Sequence, residues 1–412
     1  MTINREASAR RMLSKVPEVT LWFWIIKILC TTVGESFADW IATTLGFGLK
    51  NTTVIFTVVL AAVLAWQMSL RKYVPFVYWL TVVVLSVTGT LYTDILTDSL
   101  GVPLAVSSAV FTAILAVVFG IWYARERTLS IHSIVTTPRE GFYWLAILVT
   151  FALGTAVGDW TLELTGWQPG VAVLLPAGLI AAIAIGWRLG ANPVLAFWLA
   201  YILTRPLGAN LGDWLARTGA EGGLGLGTAG TSVLFLAAIL ATVVYLTRTR
   251  ADVINDPEVE RPVHVAHPRE RVMLGYFAAL AVGTAALLTW ASAQPHGTSP
   301  ALAEAPSGPV VESLPTGEVT KAFPAEDLQN FRTIVTDTLA KVSAGDQEGA
   351  KARIKDLETG WDDAQSRLQP MNETAWSFLD GKIDTVLKAV RAGTPDPATE
   401  TQALTDLRHV LS

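Results

Sequence analysis

The chain has 412 residues, 51% of them hydrophobic and only 16% charged, with a formal net charge of −5. Soluble globular chains carry about 25% charged residues and few apolar runs of the roughly 20 residues that cross a bilayer, so a soluble protein is excluded and a polytopic membrane protein with an appended tail is expected. The single cysteine, Cys30, excludes an intrachain disulfide and leaves thiol chemistry without support.

Residues 1–18 carry Arg5, Arg10, Arg11 and Lys15 ahead of a long apolar segment with no small-residue cleavage site. That pattern predicts a signal anchor behind a cytoplasmic N-terminal tail rather than a cleaved signal peptide. Apolar runs begin near Val19, Thr53, Val74, Val102, Phe142, Gly170, Asn192, Gly227 and Val272. The first eight predict a transmembrane domain over residues 19–250, arranged as four helical hairpins with short outer turns. A cytoplasmic linker over 251–271 leads to a ninth transmembrane helix over 272–293. The segments expected inside hold 15 basic residues, among them Arg71, Lys72, Arg125, Arg127, Arg139 and Arg188, whereas the outer turns hold only Lys50 and Arg217. This bias predicts an N-terminus in the cytoplasm and a C-terminal tail outside it.

The tail opens on a Pro-, Gly-, Ser- and Glu-rich linker over 294–322, too poor in apolar residues to build a core. Over residues 323–412 the period becomes helical: Leu328, Phe331, Ile334, Val335 and Leu339 form one stripe, and Asp346, Asn372 and Thr394 stand at capping positions. An extracytoplasmic four-helix bundle is predicted, with Trp361, Trp376 and Leu379 at its centre and Phe378 beside them. From Pro295 onward, 18 acidic residues face 11 basic ones, so the tail is acidic and the remainder slightly basic.

An internal repeat is visible by eye. "GESFADWIATTLG" (Gly34–Gly46), "GTLYTDILTDSLG" (Gly89–Gly101), "GTAVGDWTLELTG" (Gly154–Gly166) and "GANLGDWLARTG" (Gly208–Gly219) share a Gly, four residues and an Asp, then a second Gly. The aspartates Asp39, Asp94, Asp159 and Asp213 all lie on the outward-going helix of their hairpins, so the repeats run parallel about an axis along the membrane normal. They fall near the outer boundary of the hydrocarbon, where a carboxylate costs far less than at the bilayer centre.

Polar groups flank these aspartates at one-turn spacing, hence on one helix face. Glu35 precedes Asp39, Asp98 follows Asp94, Glu163 follows Asp159, and Asn210 adds an amide oxygen near Asp213. If the four helices surround an axis, Glu35, Asp39, Asp94, Asp98, Asp159, Glu163 and Asp213 gather at its outer mouth. Such oxygen ligands suit Mg²⁺, Ca²⁺ or Mn²⁺. Lys27 and Arg205 lie deeper, each eight residues before an acid, as internal counter-charges or gates, and Pro206 beside Arg205 marks a kink. The same aspartates also fit a structural role. Asp-Trp pairs with Trp40, Trp160 and Trp214 serve as interfacial anchors, and the acids pair with Lys27, Arg205 or Arg217 to lock helix packing.

The repeated Gly-x4-Asp hairpins with their Asp-Trp pairs resemble a family of bacterial multi-pass inner-membrane proteins described only as uncharacterised membrane or membrane-anchored proteins, over about Leu21 to Tyr245. The resemblance implies helical repeats and an inner-membrane location and carries no activity. No phosphate-binding loop, nucleophile–base set or Cys/His zinc cluster is present, so an enzyme is not expected and no cofactor is called for. His264 and His267 lie in a Pro- and Arg-rich linker and read as solvated. The basic inner segments serve topology and contact with the lipid bilayer, not nucleic acid. The leading expectation is a permease for a small, divalent cation. The rival is a non-transporting sensor or scaffold whose residues 323–412 bind a ligand or an extracytoplasmic protein partner.

Overall fold

The computed structural model describes residues 15–45, 47–217, 219, 222–253, 269–296, 299, 314–315, 317–392 and 395–412. Arg5, Arg10, Arg11, the His264–His267 stretch, most of the 294–322 linker and Thr394 lie outside the described residues. Among those described the chain is all-helical, with nine helices long and apolar enough to cross a membrane: α1 Leu21–Ala42, α2 Leu49–Ser69, α3 Pro75–Ser99, α4 Leu104–Glu126, α5 Thr137–Thr165, α6 Pro169–Arg188, α7 Pro193–Ala216, α8 Gly227–Thr249 and α9 Glu270–Ser292. Each lies close to one of the nine apolar runs in the sequence.

Burial separates these spans into two classes. In α1, α3, α5 and α7 the most apolar window is 56–78% buried, against 6–33% in the other five. The four buried helices close a ring: α1 packs on α3, α3 on α5, α5 on α7 and α7 on α1. What draws them together is a set of glycines at one register. A Cβ on Gly34 would stand 2.0 Å from Ser86 Oγ, one on Gly89 2.6 Å from Phe151 Cβ, one on Gly154 2.5 Å from Arg205 Cβ and one on Gly208 2.0 Å from Thr31 Oγ1. Every partner lies three residues before the glycine of the next repeat, so one contact recurs four times around a closed circle. In a bilayer, where lipid tails are as apolar as leucine, close approach of this kind is the main source of helix association.

Deeper in the ring a second circle is built from aromatic pairs: Phe23-Trp24, Tyr78-Trp79, Tyr143-Trp144 and Phe197-Trp198, which lie eleven and ten residues before the four glycines. Phe23 meets Trp79 with ring centroids 5.7 Å apart, Tyr78 meets Trp144 at 5.4 Å, Tyr143 meets Trp198 at 6.3 Å and Phe197 meets Trp24 at 5.7 Å. These separations are those of favourable offset and edge-on aromatic pairs.

The outer helices correct the expected hairpins. Each second helix packs chiefly on the first helix of the following repeat: α2 on α3, α4 on α5, α6 on α7, and α8 back on α1. The outer turns do not share one conformation. After Asp39 and Asp94 the backbone widens into a π-helical turn, Trp40–Thr44 and Ile95–Ser99. Gly101 and Gly166 then take positive φ (65° and 62°), which ends each helix and turns the chain away from it. The α9 helix lies outside this ring, touching α6 where Tyr276 donates to the Ala182 carbonyl at 3.0 Å.

The tail folds on a separate core. A short α10, Glu318–Ala322, precedes α11 Ala325–Ser343, α12 Gln347–Leu368, α13 Glu373–Val390 and α14 Pro397–Val410. Asp346 and Asn372 cap α12 and α13 through their side chains, and Asp396 caps α14. Trp361 and Trp376 stack with centroids 3.6 Å apart over buried Leu379, and Trp361 Nε1 donates to Asp380 at 2.8 Å.

Arg391, directly after α13, donates two hydrogen bonds to Glu358 on α12, at 2.8 and 2.6 Å. Burial works to raise the Glu358 carboxyl, but the hydrogen bonds and charge of Arg391, with Lys355 added, outweigh it and hold the group below the usual carboxylate range. A carboxylate lowered in the folded state stabilises the fold above its unfolded value of about 4.3 and loses that contribution as pH falls through its folded value. Hydrogen exchange on the intact protein is therefore expected to show α12 and α13 losing amide protection as pH drops below about 4.3, with a smaller loss in Arg391→Ala.

Candidate functional site

The ring places the repeated residues in layers along its axis. In the outermost layer Asp39, Asp94, Asp159 and Asp213 occupy one position, five residues after the glycines. All four lie in electrostatic range of Glu35, besides other charged groups of this layer. The closest gathering is of Glu35, Asp39 and Asp213, which each offer a carboxylate oxygen within 4.8 Å of the others. Arg217 stands over this cluster, its Nε 3.8 Å from Asp213 Oδ1. The sequence marked Arg217 only as a basic residue of an outer turn, yet it is buried.

One layer deeper, Arg205 closes the axis. Its side chain is fully buried and donates from Nε to Thr155 Oγ1 at 3.0 Å, from Nη1 to the Thr31 carbonyl at 3.1 Å and from Nη2 to Glu35 Oε2 at 2.5 Å. Nη2 also donates to Thr90 Oγ1. Glu35, Thr90 and Thr155 are the residues that follow the glycine in the first three repeats; the fourth repeat has Ala209 there. One guanidinium thus reaches the same position of the three other repeats. An arginine at this depth persists only when paired and hydrogen-bonded, and its planar fork suits several acceptors at once.

Below Arg205 lies Lys27, buried, with Nζ 3.8 Å from the Phe151 ring centroid and 4.1 Å from that of Tyr201. Cation–π contact stabilises a desolvated ammonium by about 2 kcal/mol, less than a full anion would.

The remaining expected residues divide. Asp98 sits in the π-helical turn of α3, interacts with Asp94, and lies in charge range of Lys355, Glu358 and Arg391 of the tail bundle. There Thr359 Oγ1 meets the Asp98 carbonyl at 3.5 Å, so the bundle touches the carboxylate end of the ring. Asn210 is buried, its Oδ1 without a hydrogen-bond partner, and stands outside the three-carboxylate group. Glu163 is exposed and takes no part in the cluster. Because α5 stays α-helical to Thr165 whereas α3 widens at Ile95, Glu163 and Asp98 are not equivalent despite equal spacing.

The layered ring and its repeated residues define an all-helical membrane protein built on an internal repeat. Three stretches, residues 22–73, 77–128 and 196–252, match a family model described as a repeat of unknown function (DUF347). Each match begins twelve residues before its glycine, in one register. The third repeat lies outside these matches, yet its Tyr143-Trp144 pair, Gly154 and Asp159 hold the equivalent places in the ring. No curated protein and no solved structure matches the chain.

Proposed function

We propose that the four-repeat core is a permease for a small divalent cation, which binds at the outer carboxylate layer. The observation that carries the reading is the approach of Glu35, Asp39 and Asp213 to within 4.8 Å of one another. Oxygens that span such a gap fit around one hard cation at the 2.0–2.6 Å bond lengths of Mg²⁺, Mn²⁺ or Ca²⁺, roughly the size the cluster leaves. Charge balance favours the same conclusion. Six acids, Glu35, Asp39, Asp94, Asp98, Asp159 and Asp213, share this end of the axis with Arg205 and Arg217, and Lys27 lies beneath. Half-buried anions in excess attract a cation or take up protons.

In this reading Arg205 is the gate. A divalent ion competes with its guanidinium for Glu35, and once the carboxylate is engaged Arg205 keeps only neutral acceptors. In this reading the carboxylate end and the tail bundle face away from the cytoplasm, as the bias of basic residues favours, and the bundle gathers or admits ions at the mouth. Mn²⁺ flux into proteoliposomes is expected to fall at least about tenfold in Asp39→Asn and Asp213→Asn, the effect of losing about 1.4 kcal/mol of ion binding, and to stay unchanged in Glu163→Gln. Equal flux in all variants would remove the proposal.

A second reading draws on the Thr359–Asp98 contact and on the packed Arg205 layer: the bundle senses a ligand, and the ring is its anchor and transmitter. Truncation after Gln294 separates the two, since a permease keeps its flux and a sensor loses its function.

A further inference from the structure

Two buried polar atoms on the axis are left without hydrogen-bond partners side by side: Lys27 Nζ and the Tyr201 hydroxyl, on whose ring the ammonium rests. An orphaned donor costs about 1–3 kcal/mol, so each such group calls for an explanation, a visiting ion among them. Lys27 is packed by Phe151 from α5 and by Tyr201 and Arg205 from α7, with the Cys30 thiol one turn along its own helix. Among the described residues its ammonium meets no carboxylate, and the Arg205 charge repels it. An amine can release its proton where a guanidinium holds it.

From Lys27 a row of phenols runs toward the opposite end of the ring. Tyr201 lies in electrostatic range of Tyr143, without a hydrogen bond to it. The Tyr143 and Tyr78 hydroxyls are 2.5 Å apart, and Tyr78 meets Tyr73 with ring centroids 5.6 Å apart. Tyr73 donates to Asp252 Oδ2 at 2.5 Å, and Asp252 Oδ1 is buried without a hydrogen-bond partner. Tyr143–Tyr78 and Tyr73–Asp252 are joined by hydrogen bonds, whereas Tyr201 and Tyr143, and Tyr78 and Tyr73, are neighbours without one, so a proton crosses those two steps only as the hydroxyls swing together. Beyond Lys27, the hydroxyls of Ser86, Thr90 and Thr155 line the layer of Arg205.

We propose that Lys27 is a proton-binding station on the axis, filled and emptied through Tyr201, Tyr143, Tyr78 and Tyr73 from Asp252. The proposal goes beyond the cation site, which it does not require, and supplies the ion that crosses the other half of the membrane. Its step is a proton transfer alone: the ammonium gives its proton to the row and becomes an amine, and the reverse transfer reloads it.

The test uses the full chain in liposomes loaded with a pH-sensitive dye, driven first by an imposed membrane potential and then by a Mn²⁺ gradient. Proton movement in the wild type is expected to exceed that of protein-free liposomes at least about tenfold under one of these drives, the scale set by a 1.4 kcal/mol difference. Lys27→Arg, which keeps the charge but holds its proton, and Lys27→Met are expected at the protein-free level, with Tyr143→Phe strongly slowed. No proton movement by the wild type under either drive overturns the proposal, as does a Lys27→Arg variant as fast as the wild type. If neither lysine variant folds, Tyr143→Phe decides, and a wild-type rate there overturns it. Protons moved by potential with Mn²⁺ inert would leave Lys27 standing and remove the permease. Mn²⁺ flux without protons would do the reverse.

Discussion

Arg205→Met is expected to destabilise the protein by about 3–5 kcal/mol, the cost of stranding a buried partner of a broken ion pair. Glu35 loses its guanidinium, and Thr90, Thr155 and the Thr31 carbonyl lose their donor in the same step. Glu35→Met alone should cost a comparable amount, because Arg205 is then fully buried without its hydrogen-bonded anion. The double variant Arg205→Met with Glu35→Met is expected to recover most of the loss, since apolar replacement of a buried pair is often close to neutral. Unfolding titrations of the purified protein in mixed detergent measure all three. A coupling energy below about 0.5 kcal/mol between the two sites would show that the pair does not hold the axis.

The second large effect comes from the glycine circle. In Gly208→Ala the new Cβ would stand 2.0 Å from Thr31 Oγ1 and 2.9 Å from the Thr32 amide nitrogen, and the backbone atom cannot rotate aside. Overpacking of this kind costs about 1–3 kcal/mol, and here it also opens the α7–α1 contact that closes the ring. Gly178→Ala on α6 is the internal control. Nothing lies within 4 Å of its Cβ, so the substitution should be neutral or stabilise the helix by up to about 1 kcal/mol. Thermal unfolding of the two variants side by side separates a packing requirement from a general intolerance of alanine.

The nine spans and the common register of the aspartates were legible because apolar length and a Gly-to-Asp spacing repeated four times are one-dimensional signals. The Phe/Tyr-Trp pairs were equally legible, ten residues upstream of every glycine, but they stand outside the window that the aspartates draw attention to. The pairing of each outer helix with the following repeat was not legible, because it is set by how the outer helices pack around the closed ring, which no local spacing encodes. Nor was the placement of Arg205. Its depth showed in the sequence, but its acceptors come from α1, α3 and α5, and only the closed ring brings them to one point. Glu163 shows the opposite limit, since one-turn spacing puts it on the face of Asp159 while the end of α5 turns it out to solvent.

The central claim is that acids from separate repeats converge on one axis and take a divalent cation there. Electron paramagnetic resonance of added Mn²⁺ tests it most directly, by counting immobilised ions per chain. One bound ion is expected in the wild type, lost in Asp39→Asn and in Asp213→Asn and retained in Glu163→Gln. Mn²⁺ that stays free in the wild type, or binds undiminished when Asp39 and Asp213 are both neutralised, would contradict the account.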